Sequence, residues 1–90
     1  MKMHLIAVKD EAGNAFINLE TVPTVAVGIR NFAGLCKSKS AFGETVKNNP
    51  KDFNLYLMGE YENETGKLEQ KNAPQIIAKA EEFIKEEKNG

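Results

Sequence analysis

From Phe53 the chain alternates between faces. Phe53, Leu55 and Leu57 point one way while Asn54, Tyr56, Met58 and Glu60 point the other, which is the period of a strand and not of a helix. Both faces carry bulky groups, so this strand belongs in the middle of a sheet. The run breaks at Asn63-Glu64-Thr65-Gly66, where Gly66 can close a short hairpin loop, and Lys67 to Gln70 reads as the returning strand. Upstream, Met3 to Val8 reads as a first strand bounded by the turn residues Lys9 to Asn14, with Phe16 to Leu19 returning beside it until Pro23 ends the pairing.

Beyond Pro23 the period changes. Val25, Ile29, Phe32 and Cys36 fall at i, i+4, i+7 and i+11, one stripe of a helix that Thr24 or Thr21 can cap. Gly28 and Gly34 weaken that helix by about 1 kcal/mol each relative to Ala, so close approach to the sheet or to another subunit should offset them. Ser38 to Ser40 is a loop. Ala41 to Asn48 forms a short helical segment that Asn48-Asn49-Pro50 stops. After the hairpin, Asn72 and Pro74 are read as opening a C-terminal amphipathic helix. Its apolar stripe is Ile76, Ile77, Ala80, Phe83 and Ile84, its wet face includes Lys79, Glu81, Glu82, Lys85 and Glu86, and its end frays over Lys88 to Gly90.

These elements predict one α+β domain over residues 1–90, a small, mostly antiparallel sheet of three to four strands with two main helices packed on one face. The other face then carries Tyr56 and Met58, joined by Ile6 or His4. An uncovered face of this kind favours a subunit interface, and hence a homodimer, over an aromatic platform for nucleobases.

Composition narrows the chemistry. A hydrophobic share of 41% with 28% charged residues is that of a globular chain, and no apolar run approaches the roughly 18 residues of a membrane span. No membrane partner is expected, nothing resembles a secretory signal, and the lone Cys36 agrees with a reducing cytosol. Charge is unevenly spread: residues 1–29 carry −1, residues 30–52 carry +3 and residues 53–90 carry −3. The basic middle holds Arg30, Lys37, Lys39, Lys47 and Lys51, which could contact phosphates with Tyr56 or Phe42 stacking on bases.

The remaining candidates are weaker. His4 is the only histidine, so a zinc site or a serine-type triad lacks its parts, and Cys36 on an apolar stripe reads as an inert hydrophobe. Glu60, Glu62 and Glu64 lack the ligand ladder of a calcium loop and read as a solvated turn. Neither phosphate-cradling glycine motif occurs. No catalytic residue, metal or cofactor is expected.

Two stretches carry a family resemblance. VAVGIRNF, followed by KNNPKDFNLYLMGEYENETGKLE, resembles the small nonstructural protein of gokushovirus-type microviruses, through Arg30, Phe32, Pro50, Asp52, Phe53, Leu55, Tyr56, Gly59, Tyr61, Thr65 and Gly66. The resemblance implies a non-virion protein of a single-stranded DNA phage, acting in the host cytoplasm in genome replication and bringing no catalytic residues. The expected function is therefore a non-enzymatic replication accessory that binds single-stranded DNA or a replication protein. The alternative is an assembly factor whose C-terminal helix docks on a capsid protein.

Overall fold

Both hairpins close where the chain offers residues that accept a left-handed backbone. Gly66 (φ 78°) turns strand β3 (Phe53–Glu62) into β4 (Lys67–Lys79), and Asn14 (φ 53°) turns β1 (Lys2–Asp10) into β2 (Ala15–Val22). A computed structural model describes residues 1–84 of the chain. The strands form one antiparallel sheet in the order β2-β1-β3-β4, so β3 is central as its two-sided pattern requires.

The helices α1 (Val25–Cys36) and α2 (Ala41–Asn48) lie on one face. The Thr24 hydroxyl caps α1 by accepting from the Val27 N–H at 3.1 Å, and the Ser40 hydroxyl caps α2 by accepting from the Gly43 N–H at 3.0 Å. A 3-10 turn at Pro50–Asp52 then leads into β3. Between helices and sheet sit Ile6, Val8, Val22, Phe32, Cys36, Val46, Phe53 and Leu55, all buried. Edge-to-face contacts tie the layers, Phe42 on Phe53 at 5.8 Å and Phe32 on Phe83 at 6.1 Å.

Gly28 is where α1 touches the sheet: a Cβ there would stand 2.9 Å from Ile6 Cδ1 and 3.3 Å from Val22 Cγ2. Gly34 has open space around it, so the expected close approach holds for one of the two glycines.

The C-terminal amphipathic helix does not form. Residues 72–79 continue β4, pairing Ile76 with Tyr56, Ala78 with Leu55 and Lys79 with Asn54, and a 3-10 turn follows at Ala80–Glu82. An extended chain here satisfies the outer backbone groups of β3, which a helix would leave unpaired. The run Ile76-Ile77-Ala78 also serves a strand once one residue is bulged. Ile77 is the extra residue between the two register points, so Ile76 faces outward, Ala78 inward, and Ile77 still packs on the core. Pro74 is tolerated because β4 is an edge strand whose pairing jumps from Gln70 to Gln75. Phe83 and Ile84 pack against the core, whereas Lys85, Glu86 and the expected fraying of Lys88 to Gly90 lie outside the described residues.

A second bulge shifts the alternation of β3. Leu57 pairs with Ile6 but Gly59 with Leu5, which makes Met58 the extra residue. Beyond it Glu60 and Glu62 lie on the helix side, paired with His4 and Lys2, and Tyr61 joins Tyr56 on the open side, paired with Met3. Glu60 was expected beside Tyr56; the bulge reverses it. His4 and Ile6 are likewise on the helix side, and the open face of β1 is Met3, Leu5, Ala7 and Lys9 instead.

Candidate nucleic-acid interface

The five cations of residues 30–52 all belong to the helical layer. Arg30 is exposed on α1, and Lys37 follows seven residues later as its C-cap. At 3.6 residues per turn they fall within about 20° of each other, both turned away from the buried Gly28-Phe32-Cys36 stripe. Lys39, in the loop before α2, and Lys51, in the turn before β3, are also exposed. Lys47 is half-buried and ion-paired to Glu44 at 3.0 Å, one turn away on α2. Arg30, Lys37, Lys39 and Lys51 therefore remain as the exposed phosphate-binding candidates.

The stacking residues expected to accompany them are elsewhere. Phe42 packs edge-on against Phe53 in the core, and Tyr56 projects from the opposite face of the sheet. The cations and Tyr56 do not form one surface.

Tyr56 stands instead in a cluster on the open face that alternation alone did not reveal. Its ring meets Phe16 edge-to-face at 5.2 Å, with Lys9 Nζ 5.1 Å from the Phe16 centroid and 5.9 Å from that of Tyr56. Its hydroxyl donates to Glu11 Oε2 at 2.6 Å, the same oxygen accepts from Asn54 Nδ2 at 2.8 Å, and Lys9 Nζ lies 3.4 Å from Glu11 Oε1. The Tyr56 hydrogen bond, then that of Asn54, then Lys9 hold the Glu11 carboxyl below its usual value, while the carboxylate pushes the Tyr56 hydroxyl up to about 12. The signal was present in the sequence as Lys9, Glu11 and Phe16, but those residues read there as turn and edge.

A cleft of about 330 Å³ runs between α1 and the β1–β2 hairpin, floored by Ile6, Phe32 and Leu55 and rimmed by Asn18, Glu20 and Asn31. These side chains can form hydrogen bonds but hold no nucleophile–base pair. Among the described residues no three His, Cys, Asp or Glu side chains come together as a metal site. Cys36 is buried, and desolvation pushes its thiol up. No helix among the described residues is long and apolar enough to cross a membrane.

No curated protein and no solved structure is significantly similar to the chain. The family model described as Phage ORF5 protein matches residues 3–83, well over half of the chain, which therefore belongs to that family of bacteriophage proteins.

Proposed function

We propose that the chain is a nonstructural protein of the gokushovirus-type microviruses, a non-enzymatic accessory to single-stranded DNA genome replication in the host cytoplasm. It binds single-stranded DNA, alone or together with a replication protein. The observation that carries this reading is the charge layout. Residues 30–52 hold five cations against Glu44 and Asp52, Glu44 is taken up by Lys47, and Arg30, Lys37, Lys39 and Lys51 stand exposed in the helical layer. Such an arrangement attracts a phosphate backbone without reading bases. Tyr56 has no part in it, since its hydroxyl is held by a carboxylate on the far side of the sheet. The capsid-docking alternative loses the element it required, because residues 72–79 are strand.

Fluorescence anisotropy with a labelled oligonucleotide tests the reading. Four phosphate contacts give a slope of log affinity against log salt near −3, and Lys37→Glu with Lys39→Glu should flatten it by about 1.4 and weaken binding to all sequences alike. Absence of binding at low salt, or binding indifferent to the double substitution, would remove it.

A further inference from the structure

Residues 2–5, 59–62 and 67–70 form one end of the sheet and supply no residue of the hydrophobic core, and there the two faces differ sharply in polarity. Alternation and register place Lys2, Glu60, Glu62, Lys67 and Glu69 on the helix side. On the opposite side they place Met3, Leu5, Tyr61 and Leu68. A ribbon wet on both sides has no reason for such asymmetry. The apolar side continues across the sheet: Phe16, Leu19, Leu68 and Ile76 are 42%, 64%, 64% and 43% exposed; Phe16, Leu68 and Ile76 fall on the open face by register, and Leu19 by alternation from Glu20, which lines the cleft on the helix side. Among the described strand residues that have a register partner, Lys9 and Lys79 are the only charged ones on that face, and Lys9 is neutralised by Glu11.

We infer that a second copy of this chain covers this face, forming a face-to-face homodimer with Tyr56, Leu19 and Leu68 in the interface. Three observations select that occupant. A two-fold interface sets a patch against itself, so it must carry little net charge, and this one does. The area is adequate: four strands at about 4.8 Å spacing and the 10 residues of β3 at about 3.4 Å each span roughly 650 Å² before corrugation, against about 800 Å² per partner in a standard interface. The sheet edges are poor alternatives for association, since β2 is bulged at Asn18 (φ 54°) and β4 contains Pro74 and a break in pairing. Single-stranded DNA fits the face less well, because phosphates near the aromatic pair would meet the Glu11 carboxylate, and Lys9 is already engaged with it.

The dimer does not depend on DNA binding, and sedimentation velocity of the full chain without nucleic acid tests it. A dimer is expected at micromolar concentration. Leu19→Glu and Leu68→Glu, at positions mostly exposed in the single chain, should keep the circular dichroism of the fold and raise the dissociation constant on the order of 100-fold or more. Gln75→Glu, paired with Leu57 on the helix side, should leave it unchanged, as should Lys37→Glu with Lys39→Glu. A monomer at all concentrations, or a dimer insensitive to both leucine substitutions, overturns the inference. Loss of oligonucleotide binding by Leu19→Glu in a monomeric chain would assign the face to nucleobases instead.

Discussion

Two glycines in one helix separate packing from propensity. Gly28→Ala and Gly34→Ala gain the same backbone term in α1, about 0.5–1 kcal/mol in favour of Ala. At Gly34 nothing stands within 4 Å of the new methyl, so the gain is realised in full. With unfolding entropy near 2.1 cal/mol/K per residue, 90 residues give about 0.19 kcal/mol/K, and the melting temperature should rise by roughly 3–5 °C. At Gly28 the methyl would press on Ile6 Cδ1 at 2.9 Å and Val22 Cγ2 at 3.3 Å. Ile6 is 2% exposed and Val22 3%, so the new methyl can be accommodated only if these side chains shift within the core or toward the cleft beside α1, and overpacking of this kind costs about 1–3 kcal/mol. The propensity gain cancels in the comparison, which leaves the two variants about 5–16 °C apart, with Gly28→Ala the lower. Thermal unfolding followed by circular dichroism, at one fixed protein concentration, measures both. Ile6→Val, which deletes the crowding atom, should cost less in the Gly28→Ala background than alone. If Gly28→Ala stabilises as much as Gly34→Ala, α1 does not press on the sheet as described.

Gly59 is a more severe case, since a Cβ there would land on the backbone carbonyl of Glu69. Gly59→Ala should lower stability by more than about 2 kcal/mol in urea unfolding, and an unchanged midpoint would refute the close approach of β4. Spectrophotometric titration should place the Tyr56 hydroxyl near about 12, and Glu11→Gln should return it toward 10.0; a midpoint indifferent to Glu11 would deny the hydrogen bond. Because the Tyr56 value is raised on folding, its stabilising contribution is whole below pH 10 and declines as pH climbs toward 12. The Glu11 value is lowered, so its contribution is present above pH 4.5 and fades as pH falls.

Much of this architecture was readable from spacing. The two-sided run from Phe53, the Gly66 turn, the Thr24 cap and the stripe ending at Cys36 each follow from local geometry, and each stands where expected. What failed to read were insertions that no periodicity announces. Met58 and Ile77 each add one residue to a strand, and the first exchanges the faces of Glu60 and Tyr61 while the second makes a strand resemble a helix stripe. The basic group was legible as composition, but its separation from Tyr56 was not, because the face on which the helices settle is decided by the whole core. The Lys9-Glu11-Phe16-Tyr56 cluster joins residues about 40 apart in sequence, a proximity that only strand order supplies.

The pairing of β1 with β3 also sets a timetable. Its partners run from Asp10 with Phe53 to Lys2 with Glu62, so no middle of the sheet exists until residues 53–62 have been made. At about 5–20 residues per second, the first hairpin leaves the ribosome and then waits roughly 2–8 s for the strand that completes it, which ends 40 residues beyond Val22, at Glu62. During that delay the ladder groups along Ile6-Ala7-Val8 are bare on one side, and folding must close a long loop to cover them. Newly made chains at high expression are therefore most vulnerable to misassociation through the bare strand Lys2–Asp10, before any surface of the finished molecule has formed.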